Sequence, residues 1–164
     1  MLVIIGGLPA TGKTTLSRLL ARDLTAVHLR IDTIEQAIVR SGLARQPLGP
    51  VGYDIGYSLA GDFLRQGLTV LAESVNPLEV TRAAWRSVAE RAGCPAVEVE
   101  VICSDPDEHR RRATGRTVDI ADLRPPTWQE ICDREYEPWG RDHVVVDTAG
   151  RPVEECVAEV RKAI

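Results

Sequence analysis

Leu2-Val3-Ile4-Ile5-Gly6-Gly7-Leu8-Pro9-Ala10-Thr11-Gly12-Lys13-Thr14-Thr15 is the stretch that decides the fold. Leu2 to Ile5 is an unbroken apolar run, as expected of a strand buried on both faces. From residue 7 the chain fits G-x-x-x-x-G-K-[ST] at every fixed position. Glycines at the two fixed positions let a loop wrap a phosphate. Its backbone N–H groups then point inward, at the positive end of the following helix. That helix is announced by Leu16, Leu19, Leu20 and Leu24 at helical spacing. The loop Gly7, Leu8, Pro9, Ala10, Thr11, Gly12, Lys13, Thr14 and Thr15 is therefore the expected nucleotide cradle. In it Lys13 reaches the β- and γ-phosphates of ATP and the Thr14 hydroxyl takes one position on Mg²⁺. The plainer alternative is a glycine-rich turn that only joins strand to helix.

Outward from that stretch, strand and helix patterns alternate to the end of the chain. Ala26 to Ile31 reads as a second strand and Thr33 to Ser41 as a helix closed by Gly42. After a loop with Pro47, Gly49 and Pro50, the residues Ile55, Leu59, Phe63 and Leu64 mark a helix that ends at Gly67. Strands are expected at Leu68 to Ala72, Ala96 to Cys103 and His143 to Asp147. Helices are expected at Leu78 to Arg91, Asp105 to Thr114, Thr127 to Trp139 and Pro152 to Ile164. Gly115 to Pro126 has no periodicity and reads as a mobile loop. Strands separated by helices imply right-handed βαβ units. The expectation is one α/β domain over residues 1–164: a five-stranded parallel sheet, helices on both faces, and an arginine-rich lid at about 110–127.

Composition narrows the function. Of 164 residues 44% are apolar and 27% charged, which suits a globular chain with a core and excludes a disordered tail. Aromatics are 4%, so Val, Leu, Ile and Ala must fill that core. Twenty basic residues against 24 acidic ones give a net charge of −4, which argues against a dedicated nucleic-acid binder. Cys94, Cys103, Cys132 and Cys156 form no C-x-x-C pair and read as reduced thiols, not zinc ligands. No signal-like or membrane-length apolar segment is present, so a cytoplasmic protein without a membrane partner is expected. A guanine-reading N/T-K-x-D tetrad and the L-S-G-G-Q signature of transport ATPases are both absent.

Three features together carry a resemblance: the loop at Gly7, Asp32 after the second strand, and His109-Arg110-Arg111-Arg112-Ala113-Thr114-Gly115-Arg116 after the fourth. The combination resembles the small P-loop nucleotide and metabolite kinases. That group includes adenylate, shikimate and gluconate kinases, chloramphenicol phosphotransferase and the kinase module of polynucleotide 5′-kinases. The AAA_33-type ATP-binding kinases are the nearest in impression, over almost the whole chain.

Asp32, where the second strand meets the crevice, is expected to face the phosphates; the resemblance implies that it accepts the proton of an attacking hydroxyl. Capping boxes of Asp32 with Glu35, or Thr33 with Gln36, are the alternative. Arg30, on the same face, would hold an anionic or polar acceptor or form a surface ion pair. Val70-Leu71-Ala72-Glu73 is an apolar run ending in a carboxylate. Glu73 is thus expected to support Mg²⁺, to touch the acceptor, or to be an ordinary strand end, Asp being the commoner residue in that role. Asn76, before Pro77, reads as a helix N-cap or an acceptor contact. Tyr53, Asp54 and Tyr57 lie where a helix would cover the acceptor, whereas Phe63 and Trp85 read as packing.

In adenylate kinase the R-x-x-G-R pattern opens a lid, which here implies Arg112 stacking on adenine and Arg116 on the transferring phosphate. A solvated basic helix end is the alternative. The loop Asp147-Thr148-Ala149-Gly150 is implied to meet adenine, with Thr148 and Gly150 as contacts. Lys13, Asp32 and Arg116 are the expected catalytic residues. The activity so implied is ATP-dependent transfer of the γ-phosphoryl group to a hydroxyl of a small molecule, by a monomer or homodimer. A nucleoside, nucleotide or polynucleotide 5′-hydroxyl kinase, and a non-catalytic nucleotide switch, are the rival readings.

Overall fold

A computed structural model describes residues 1–164. Five strands, β1 (Leu2–Gly6), β2 (Val27–Arg30), β3 (Val70–Glu73), β4 (Ala96–Ile102) and β5 (Val144–Asp147), alternate with seven helices. These are α1 (Lys13–Asp23), α2 (Ile31–Arg40), α3 (Val51–Arg65), α4 (Glu79–Arg91), α5 (Pro106–Thr114), α6 (Trp128–Cys132) and α7 (Val153–Arg161). The strands form one parallel sheet in the order β2-β3-β1-β4-β5. The expected five-stranded parallel α/β fold is the one observed.

Alternation along each strand divides the core into two layers. Leu2 and Ile4 join Leu29, Ile31, Val70, Ala72 and Trp85 under α3 and α4. Val3 and Ile5 point the other way and join Leu71, Val99, Val101 and Val146 under α1 and α7. All four β1 side chains from Leu2 to Ile5 are fully buried, each worth roughly 1.5–3 kcal/mol relative to exposure. In this register Ile5 and Arg30 both lie opposite Glu73, so β1, β2 and β3 end together. The loops that leave those ends surround one crevice.

Several boundaries differ from the sequence expectation, and four of them bear on the site. β2 stops at Arg30, and Ile31 with Asp32 already belongs to α2, whose N-cap Arg30 makes no side-chain cap hydrogen bond. Neither expected capping box forms. Burial of Ile31 against Gly56 and Trp85 fixes this helix start. α3 begins at Val51, earlier than its apolar spacing showed, because Gly52 and Gly56 let it press against α2 and Trp85. The expected helix over Thr127 to Trp139 is cut to α6. Beyond it the chain is drawn across the sheet: Arg82 donates to the carbonyls of Glu137 and Pro138, and Trp139 packs against Gly6. Finally, α4 is capped at Leu78, not at Asn76. Residues 115–127 contain no helix or strand, and the four cysteines are all free.

Candidate active site

The loop after β1 is shaped by backbone that few residues tolerate. Gly7 has φ +135° and Gly12 +99°, and a Cβ on Gly7 would collide with the Val101 carbonyl of the neighbouring strand. Thr11 Oγ1 donates to the Leu8 carbonyl at 2.9 Å and the Gly7 amide to Val75 at 3.1 Å, so the turn closes on itself and on the end of β3. From behind, His109 Nε2 lies 2.8 Å from the Pro9 carbonyl. Lys13, at the first residue of α1, is 8% exposed and donates to the Leu8 carbonyl at 2.7 Å. Burial pushes its ammonium down to about 8. Glu73 and Asp32 pull against that shift, and Arg116 and Arg134 add to it.

Glu73 closes β3 beside Thr14. The Thr14 hydroxyl donates to Oε1 at 2.5 Å, His28 Nε2 lies 2.7 Å from Oε2, and Arg30 Nε is 3.7 Å away. Burial alone would raise this carboxyl; the hydrogen bonds from His28 and Thr14 and the charge of Lys13 hold it below the usual range. Asp32, half-buried in the first turn of α2, faces the same space.

That space is one cavity of about 1310 Å³. From the loop it takes Pro9, Ala10 and Gly12 to Thr15; from the strand ends, Arg30 and Glu73; and from the first turn of α2, Asp32. Tyr53, Arg112, Arg116 and Thr148 complete the expected residues that line it. Arg112 is pinned by bonds to Thr148 Oγ1 (2.7 Å), the Thr148 carbonyl (2.9 Å) and Glu108 (2.5 Å). The Thr148 hydroxyl in turn donates to the Thr11 carbonyl at 2.8 Å, which couples the last loop to the first. Arg110 and Arg111 are exposed outside the cavity, whereas Arg124 and Arg134 line it.

Five expected site residues lie outside the cavity lining: Gly7, Leu8 and Thr11, which shape the loop from behind, and Asn76 and Gly150. Asn76 is fully buried and does not line the cavity: Nδ2 donates to the Ile5 carbonyl at 3.3 Å and Oδ1 accepts from Trp85 Nε1 at 3.1 Å. It ties β1 to α4 and is neither N-cap nor acceptor contact. Gly150 is outside the lining too, its amide bound to Glu108 Oε2 at 3.0 Å. Tyr57, grouped with Tyr53 in the sequence, packs edge-on against Trp85 and donates to the Thr81 carbonyl. Sequence reasoning missed His28 and Asp119. Asp119 pairs with Arg30 at 2.7 Å and with Arg18, and so pins residues 115–127 over the crevice. Neither lies in a motif; only the folded chain gathers them.

The AAA_33 family, described as an AAA domain, matches residues 2–130. The chain belongs to that family. Its kinship is with the P-loop kinases, as the loop, Asp32 and the arginine cluster implied. An adenylyl-sulfate kinase of Synechococcus sp. (strain JA-3-3Ab) is 28% identical over 173 residues, covering 96% of this chain and 90% of that protein. A putative kinase from Chloroflexus aurantiacus shares the fold with a TM-score of 0.73 at 23% identity, covering 99% of this chain and 97% of that one. An APS kinase of Mycobacterium tuberculosis, solved in complex with AMPPNP and APS, also has a TM-score of 0.73, at 20% identity over 98% and 95% of the two chains. No helix of this AAA_33 protein is long and apolar enough to cross a membrane.

Proposed function

We propose that this chain, acting as one unit over residues 1–164, transfers the γ-phosphoryl group of Mg-ATP to a hydroxyl of a small-molecule acceptor in the cytoplasm. The observation that carries the reading is the convergence of Lys13, Thr14, Glu73 and Asp32 on one cavity beneath the loop. Hydroxyl transfer needs a cation at the phosphates, a carboxylate near the incoming oxygen and a shielded space, and these residues supply all three.

Residues Gly7 to Thr15 cradle the triphosphate through backbone N–H groups. Lys13, freed from the Leu8 carbonyl, takes the β- and γ-phosphates. Arg112 and Thr148 receive the base. Arg116, carried on a lid at about 110–127, closes over the transferring group. Asp32 orients the acceptor hydroxyl and takes its proton as the oxygen–phosphorus bond forms and the bond to the β,γ-bridging oxygen breaks, releasing ADP.

Thr14 Oγ1 and the Glu73 carboxylate are hard oxygen donors at one point. No group of three or more acidic, histidine or cysteine side chains could hold a metal unaided. That donor set fits Mg²⁺, which keeps water ligands and leans on substrate phosphates. When bound, Mg²⁺ offsets the charge that develops on the phosphate oxygens.

Kinship with adenylyl-sulfate kinases favours a second reading, in which the acceptor is adenylyl sulfate itself. Asp32 and Glu35 on α2 weigh against an anion there, whereas Arg30, whose buried Nε has no hydrogen bond, weighs for one. The test is ADP release from Mg-ATP across sugars, amino sugars, nucleosides, nucleotides, adenylyl sulfate and a 5′-hydroxyl oligonucleotide. Lys13→Ala should lower the stimulated rate about 10²–10³-fold and Asp32→Asn about 10²–10⁴-fold. Unchanged turnover in Asp32→Asn removes it as base. ATP binding without transfer to any acceptor favours a nucleotide-binding switch.

A further inference from the structure

The acceptor end of the cavity holds a carboxylate that nothing in the protein neutralises at close range, and a role for it in recognition rests on the hydroxyl-transfer reading proposed for the same site. α2 presents Asp32 and Glu35 to the cavity three residues apart, hence on one face with Cβ atoms about 5–6 Å from each other. Glu35 is held there by packing, because its side chain crosses α3 at Gly52, where any Cβ would collide with Glu35 Cγ. It is half-buried yet makes neither a hydrogen bond nor an ion pair, unlike Glu73 and Asp119 in the same cavity. Nor does it cap α3, whose N-terminus receives no side-chain cap. Burial first, and then the Asp32 charge, raises its carboxyl above the usual range; Arg134 opposes them. Arg134 lines the same cavity, and its charge bears on Lys13 as well.

A second group points the same way. Ser74, 4% exposed, lines this cavity near the Tyr53 phenol, and its buried hydroxyl makes no well-formed hydrogen bond. An unpaired carboxylate crowded by a second one, with a hydroxyl lacking a well-formed bond in the same cavity, is a standing cost that a cationic, hydrogen-bonding ligand relieves.

We infer that Glu35 recognises the acceptor, and that the acceptor is a small amino alcohol, in the class of amino sugars and aminocyclitols. Its hydroxyl lies on Asp32, its ammonium on Glu35, and a further polar group on Ser74. The ammonium keeps its proton and takes no part in bond changes. The hydroxyl oxygen gains phosphorus, its proton passes to Asp32, and ADP departs with the electrons of the broken bond.

Matched pairs test this through ADP release: glucosamine against glucose, 2-aminoethanol against ethylene glycol, 2-deoxystreptamine against myo-inositol, with adenylyl sulfate as the anionic arm. The aminated member should show kcat/KM at least about tenfold higher than its neutral partner, and Glu35→Gln should reduce that ratio about 10–100-fold. The loss should fall on KM for the aminated member, and Glu35→Asp should restore part of it. Should Glu35→Gln fail to melt cooperatively, Glu35→Asp carries the comparison. An equal loss for both members of each pair makes Glu35 structural and overturns the assignment. Preference for neutral acceptors or adenylyl sulfate overturns the amine class and leaves hydroxyl transfer standing. Absence of Lys13-dependent ADP release in every arm overturns both.

Discussion

Residues 6–14 and residues 115–134 face each other across one cavity, and they are held by different forces. The first region hangs from β1, whose side chains from Leu2 to Ile5 are fully buried, and its glycines sit against the backbone of β4 and the side chain of Trp139. The second has almost no regular structure. It is attached by Asp119 to Arg30 and Arg18, by the buried Ile120, by Arg124 to Glu130 and by the capping box of Thr127 with Glu130. Packing on a sheet cannot let go locally without exposing core, whereas exposed ion pairs exchange with water at little cost. On the proposed kinase reading, preorganised phosphate binding falls to the first region, and opening and closing over a substrate to the second.

The largest expected effect breaks the rigid side. Gly7→Ala places a methyl group against the Val101 carbonyl at a backbone angle that L residues rarely adopt. It should cost at least about 2 kcal/mol in urea unfolding and abolish nucleotide binding by calorimetry. A Gly7→Ala protein of wild-type stability would mean that the loop is as loosely held as the segment opposite.

Next comes the charge at the centre of the cradle. The Lys13 ammonium is pushed down to about 8 from its ordinary 10.5, so it is charged in folded and unfolded chains alike below pH 8. The unfolded chain alone keeps the proton between those values. The cost of burying the charge is therefore present below pH 8 and relieved as pH rises through the window, so unliganded stability should climb there. Lys13→Met should remove that climb. Activity runs the opposite way: kcat/KM for ATP should fall about tenfold per unit above pH 8 as Lys13 loses its charge in the free enzyme.

The smallest effect sharpens the other side. Asp119→Ala frees residues 115–127 from Arg30 and Arg18, so KM for ATP should rise several-fold. Stability should change by less than about 1 kcal/mol, because Asp119 is substantially exposed. A large stability loss without any change in KM would show that the segment is structural packing and not a closing element.

Legibility in the chain divides along the same line. The loop at Gly7 to Thr14 could be read because backbone geometry dictates residue types at fixed spacing, and β1 because burial on both faces forces an apolar run. Asp32 and Glu73 could be placed at the crevice because parallel strands bring their carboxyl ends together, whatever the loops do. Asn76 was misread because a polar residue before a proline looks like a cap. Only the approach of β1 and Trp85 turns it into a buried tie. The helix expected to reach Trp139 failed because Arg82, a buried cation with five donors to satisfy, claims two carbonyls of that segment.

The sequence by itself determined the parallel α/β fold, the phosphate loop and the two carboxylates at the strand ends, since each rests on local periodicity or on a motif whose chemistry fixes its spacing. Only the tertiary structure decided that His28 shares Glu73 with Thr14, that Asp119 reaches back to Arg18 and Arg30, and that Glu35 crosses Gly52 into the cavity. Those pairings join residues from separate elements, and no spacing along the chain encodes a distance that exists only once the helices have packed.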